Sequence, residues 1–182
     1  MRFKTYLMSG DKQITRISNY NATIKPLNDF RETVEEIRRL GDAYWEDLLK
    51  KNKFNVDFRK MNAKQFFDFI QKLPYVPDPS GMEYLSRPEI SLALSMTGHP
   101  FDCDDRTILT RAFLRLKNYL LSGNPEEPFV PFVKVTGRSS APHHVFTVFK
   151  TRLADSNIPF DPTYPQNIFG KELFPAGFAY IK

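Results

Sequence analysis

Phe101-Asp102-Cys103-Asp104-Asp105-Arg106-Thr107-Ile108-Leu109 is a loop turning into a helix, and its reading decides the fold. Aspartates at a helix start satisfy free backbone N–H groups and face the positive end of the dipole. Downstream, Ile108, Ala112, Leu116 and Leu120 recur at helical spacing, joined by Leu109, Phe113 and Tyr119. Gly123 suits the left-handed residue that stops such a helix. A helix is therefore predicted from Cys103 to about Leu121. Cys103 is the single cysteine of the chain.

After residue 124 the pattern changes from helix to strand. Strands are predicted over Phe129–Thr136, Val145–Thr151, Ile158–Phe160 and Phe178–Ile181. Before Cys103 the chain reads mainly as helix. Asn28 or Asp29 caps one carrying Phe30, Val34, Ile37, Leu40, Tyr44 and Leu48 to about Lys53, with Gly41 weakening or breaking it. Asn62 caps a second with Phe66, Phe67, Ile70 and Leu73, ended by Pro74. Four prolines in residues 74–88 make an ordered loop. Ser86 and Glu89 then read as a capping box, with Pro88 in the first turn of a short helix to about Met96. At the N-terminus, weak alternation over 2–7 and 13–19 around Ser9-Gly10-Asp11 predicts a β-hairpin. Helices first and an antiparallel sheet afterwards is the α+β pattern, with the helical part packed on the sheet.

The 182 residues suit one domain, 1–182, with a hairpin-and-helix extension over 1–60 and a core over 61–182. Seventeen Phe predict a phenylalanine-rich core. No apolar run approaches the roughly 20 residues of a membrane span, so no membrane partner is expected. Met1 to Tyr6 lacks the apolar stretch of a signal peptide. One cysteine cannot pair within the chain, which fits a reducing compartment such as the cytoplasm. The net charge of +5 lies mostly in residues 1–60, with 13 Lys/Arg against 9 Asp/Glu. Lys50-Lys51-Asn52-Lys53 and Arg38-Arg39 read as a solvated helix face, and nucleic acid is not an expected partner.

The chemistry lies in Cys103 with two later segments, His143-His144-Val145-Phe146 and Phe160-Asp161-Pro162-Thr163. A helix N-terminus lowers a thiol pKa, and a nearby imidazole takes the proton and returns it to a leaving amine. A carboxylate on the other ring nitrogen fixes the tautomer. Cys103, His144 and Asp161 fit these roles, with the Cys103 N–H as half of an oxyanion hole. The flanking Asp102, Asp104 and Asp105 oppose thiol ionisation and read mainly as structural. His143, on the other side of the strand, reads as a solvent-facing or rim residue, and His99, before Pro100, as structural. No His-Glu-x-x-His or EF-hand spacing occurs, and a thiol among aspartates is an odd ligand set, so no metal or cofactor is expected.

Asp102-Cys103-Asp104-Asp105, His144-Val145-Phe146 and Phe160-Asp161-Pro162-Thr163 together resemble the transglutaminase-like superfamily, within the papain-like cysteine fold. Leu73 to Pro79 and Glu83 to Pro88 resemble that family's approach to its cysteine, most closely in small phage- or prophage-encoded members. Two positions depart from the pattern: Phe101 stands for glycine and Phe146 for tryptophan. The resemblance implies a transglutaminase-like core and a triad of Cys103, His144 and Asp161. It also implies a peptidase, amidase or transglutaminase type of thioester chemistry on a protein or peptide substrate. The alternative it carries is a phage virion structural or assembly protein without turnover, partnered by phage structural proteins. The location would then be host cytoplasm or virion.

Overall fold

The computed structural model describes residues 22–26, 29–125, 127–137, 142–151, 154–173 and 178–182. The hairpin expected over 2–7 and 13–19 lies outside the described residues. Helices α1 (Phe30–Ala43), α2 (Ala63–Gln71), α3 (Pro88–Leu94) and α4 (Cys103–Ser122) come first, with strands β1 (Ala22–Pro26) and β2 (Met82–Ser86) among them. Strands β3 (Val130–Gly137), β4 (His144–Thr151), β5 (Ala154–Phe160) and β6 (Phe178–Ile181) follow. They form one antiparallel sheet in the order β5-β4-β3-β6. The fold is α+β.

Helix α4 is the centre of the molecule. Asp102 accepts the Asp104 N–H at its start, and Gly123 ends it at φ 71°, a left-handed conformation that glycine adopts without a Cβ clash. It is buried on nearly every side, because α1, α2 and α3 pack against it and β3 and β4 lie beneath it. Two cores result. A phenylalanine-rich one joins Phe58, Phe66, Phe67, Phe113, Phe149 and Phe160, with Phe66 and Phe113 stacked at 4.0 Å. A branched-aliphatic one joins Val34, Ile37 and Leu40 of α1 to Leu85, Ile108, Val133, Val135 and Val145.

Several local expectations are corrected. Helix α1 stops at Ala43, not near Lys53, and a 3₁₀ turn, Trp45–Leu49, takes over. Gly41 lies inside α1 and serves a close helix approach: a Cβ there would sit 3.0 Å from Arg111 Cβ. The proline loop contains β2, which pairs antiparallel with β1 from Ala22↔Ser86 to Pro26↔Met82. Ser86 does not cap α3; Arg87 is the N-cap residue with no side-chain capping bond, and the helix ends at Leu94. Strand β4 is buried throughout His144 to Phe149. It lies at the middle of the sheet with α4 over one face. Elements on either side of residue 60 are in contact: α1 lies against α4 and β1 pairs with β2.

The basic segments are largely tied back to the chain. Arg38 and Arg39 pair with Glu35 and Glu36, Lys50 with Asp47 and Glu89, and Lys53 donates to the Ala93 carbonyl. Among the described residues no helix is long and apolar enough to cross a membrane.

Candidate active site

The three residues singled out in the sequence lie at element ends that share one edge. Cys103 opens α4, His144 opens β4, and Asp161 directly follows β5, which runs antiparallel to β4. His144 Nε2 and Asp161 Oδ2 are 2.8 Å apart. An ionised carboxylate only accepts, so Nε2 carries the proton and Nδ1 holds the lone pair. His144 Nδ1 is buried and has no hydrogen-bond partner. The Val145 backbone N–H donates to the Cys103 sulfur, so the thiol lies against β4 one residue from His144.

The helix and strand are clasped together by hydroxyls. Thr107 Oγ1 donates to the Cys103 carbonyl at 2.6 Å and lies 3.2 Å from the Val145 carbonyl. Thr110 and Thr147 hydroxyls meet at 2.7 Å, and Thr147 Oγ1 also reaches the Thr107 carbonyl at 3.3 Å. These bonds fix the rotation of α4 about its axis, and so the direction in which Cys103 points.

Asp161 is held from behind. Its Oδ1 accepts the Thr163 N–H and its carbonyl accepts Asn167 Nδ2. Arg106, fully buried, donates to the carbonyls of Pro162 and Leu73 at 2.6 and 2.7 Å. One guanidinium thus ties the Asp161 loop and the approach to Cys103 onto α4. Gln71 Nε2 adds bonds to the carbonyls of Tyr164 and Asn167. The His144 ring lies 5.5 Å from Phe146, near parallel at 24°, and 5.2 Å from Tyr164. A shallow cleft of about 50 Å³ opens beside His144 and Asp161, lined by Phe146, Tyr164 and Asn167.

The flanking aspartates behave as helix-start ligands and more. Asp102 Oδ1 takes the Asp104 N–H, Asp104 Oδ1 the Asp105 N–H, and Asp105 Oδ1 the Ser91 hydroxyl. All three are buried, however, rather than bathed in solvent. Burial pushes the Cys103 thiol well above its ordinary range, with the charge of Asp102 adding to it and the Val145 N–H acting the other way. This is opposite in direction to the lowered thiol expected from a helix N-terminus alone: desolvation outweighs the dipole here. Phe101 is fully buried, under Arg106 and bonded both ways to Val76, so it belongs to the core. His143 is exposed, and its N–H bonds to the Thr136 carbonyl.

Sequence reasoning missed Tyr75, Arg106 and Tyr164. Burial chiefly, with the electrostatic influence of Cys103 and Asp102, pushes the Tyr75 hydroxyl up. It also missed Asp78 and Glu83, which join the aspartates at the start of α4. Asp78 lies in the segment whose proline spacing drew attention, so a signal was present there. Arg106 carried none beyond its place in the first turn of a buried helix.

The site is thus a thiol, an imidazole and a carboxylate in an α+β protein, with the imidazole's second nitrogen buried and unpartnered. No family model, curated protein or solved structure matches this chain.

Proposed function

We propose that this chain is a cysteine-dependent amide hydrolase or acyltransferase with a transglutaminase-like core. The observation that carries this reading is the 2.8 Å contact between His144 Nε2 and Asp161, with Nδ1 buried and unpartnered and Cys103 packed beside Val145, the next residue of β4. Nδ1 takes the thiol proton as sulfur attacks the carbonyl, and the Cys103 N–H steadies the oxyanion. The imidazolium then protonates the leaving amine, giving a thioester. Water or a second amine attacks the thioester, with Nδ1 again as base. Asp161 stabilises the imidazolium throughout. Because the thiol is held protonated in the resting chain, His144 must remove the proton within the substrate complex. The test is turnover of peptide and glutamine-amide substrates by the full chain, with trapping of a Cys103 acyl adduct detected by mass. Equal turnover by Cys103→Ala overturns the reading.

The raised thiol favours a second reading, in which the fold serves as a virion structural or assembly component without turnover. Stable association with capsid, neck or tail proteins, together with a thiol inert to iodoacetamide at pH 7 to 8.5, supports that role.

A further inference from the structure

Five carboxylates converge where the 78–83 segment meets the start of α4: Asp78, Glu83, Asp102, Asp104 and Asp105. Two have their oxygens met by hydrogen-bond donors of the fold. Asp102 accepts the N–H groups of Asp104 and Asp78, one on each oxygen, and Asp105 accepts from Ser91. The other three do not. The Tyr84 N–H occupies Asp78 Oδ2 at 2.6 Å, and the Asp105 N–H occupies Asp104 Oδ1 at 2.7 Å. This leaves Asp78 Oδ1 and Asp104 Oδ2 buried with no hydrogen-bond partner, and Asp104 as a whole is 2% exposed. Glu83 brings its carboxylate to the same point. One oxygen from each of Asp78, Glu83 and Asp104 lies within 4.8 Å of the other two. Among the described residues no Lys or Arg forms an ion pair with any of the five; Arg106, next in sequence, is turned to backbone carbonyls instead. Buried anionic oxygens left without hydrogen bonds or a counter-charge are costly unless a cation or a proton meets them.

We propose that Asp78, Glu83 and Asp104 form a divalent-cation site, and that calcium is the ion it takes. The donors are all hard oxygens, with no imidazole or thiolate among them. Calcium binds oxygen at about 2.3–2.6 Å, so two donors on opposite sides of one ion lie up to about 5 Å apart; magnesium, at about 2.0–2.1 Å, allows only about 4.2 Å. The three donors all lie within 4.8 Å of one another, a span that a calcium sphere accommodates. Glu83 and Asp78 are only half-buried, which leaves a route in from solvent and room for coordinating water. Cys103 is not a donor in this set. The aspartates flanking it lacked a reason as ligands in the sequence alone; Asp78 and Glu83, supplied by the segment ahead of α3, give them one.

The test is calorimetric titration and thermal unfolding of the full chain after EDTA treatment, with calcium and magnesium added separately. The expected result is one calcium per chain and a rise in Tm of about 5–10 °C at about 100-fold excess over Kd. Magnesium should bind about tenfold more weakly or worse. Glu83→Gln should weaken calcium binding by about tenfold or more, whereas Asp68→Asn, on the solvent side of α2, should leave it unchanged. Asp78→Asn repeats the test on a second donor should Glu83→Gln not fold. Absence of calcium binding at several millimolar, or wild-type affinity in a folded Glu83→Gln or Asp78→Asn chain, overturns the site. Equal binding of magnesium overturns the choice of ion. Calcium binding by Cys103→Ala is expected to match the wild type, so this site stands or falls separately from the thiol chemistry.

Discussion

His144 owes its usefulness to asymmetry: one ring nitrogen is engaged by Asp161 and the other is buried without a partner. If Asp161 becomes Asn, its amide can donate to Nε2, which puts the proton on Nδ1 and removes the base. Asp161→Asn is therefore expected to lower kcat/KM by about 10²–10⁴ while His144 stays in place, read by steady-state kinetics with a crystal structure of the variant. Asp42 gives a stability counterpart. Its carboxylate holds Arg111 at 2.7 Å through both oxygens and Arg115 at 2.9 Å, and both guanidiniums are nearly buried. Burial pushes Asp42 up, but the two arginines outweigh it and hold the carboxyl below its ordinary range. Asp42→Ala removes the carboxylate that holds buried Arg111 and one partner of Arg115, and should cost about 3 kcal/mol, measured by denaturant unfolding. The triad residues were visible in the sequence because their neighbours carry short local patterns. Asp42 was not, because its partners lie about seventy positions away and nothing local distinguishes it from any other helix aspartate.

At the level of elements, the approach of α1 to α4 depends on Gly41. A methyl group there meets Arg111 Cβ at 3.0 Å and its Cγ and Cδ at 3.1 Å. Arg111 cannot swing aside, since Asp42 and the Pro131 carbonyl hold its guanidinium. Alanine gains about 1 kcal/mol of helix propensity and loses about 1–3 kcal/mol to overpacking, so Gly41→Ala should destabilise by about 1 kcal/mol. A rise in Tm would show that the helices part at little cost. The same residue explains one error of reading: a glycine inside a helical pattern looks like a break, and only tertiary contact reveals a gap filled by another helix. Helices α2 and α4 were legible from their periodicity, and β3 to β6 from β-rich runs after residue 124, β5 only over its last three residues. Strands β1 and β2 were not, because each is five residues long and β2 is embedded among prolines that read as loop. Their stability comes from pairing with each other, a non-local effect that periodicity does not encode.

For the whole molecule, the acid cluster and the Asp42 cluster pull stability in opposite directions along the pH axis. Asp42, lowered in the fold, contributes above its ordinary value, and that contribution is lost as pH falls below about 4. Asp78 is pushed up to about 8, chiefly by burial and then by Asp102, and Asp104 and Asp105 are also raised by burial. A raised carboxyl binds its proton more tightly when folded, so its contribution is present below pH 4 and is lost as pH rises towards 8. The EDTA-treated chain should therefore be most stable in mildly acidic solution and lose Tm steadily between pH 5 and 8, read by calorimetry across a pH series. A flat profile over that range would mean that these carboxyls are ionised at little cost.

Cys103, His144 and Asp161 all gather at one edge of the sheet, and strand β4 runs away from them to Thr151. At roughly 3.3 Å per residue, Thr151 lies about 23 Å from His144. The opposite edge is therefore a handle: a surface-coupling tag introduced after Thr151 would anchor the protein with its His144–Asp161 cleft facing outward. An immobilised preparation oriented in this way would present every molecule's cleft to a flowing substrate or to a candidate virion partner.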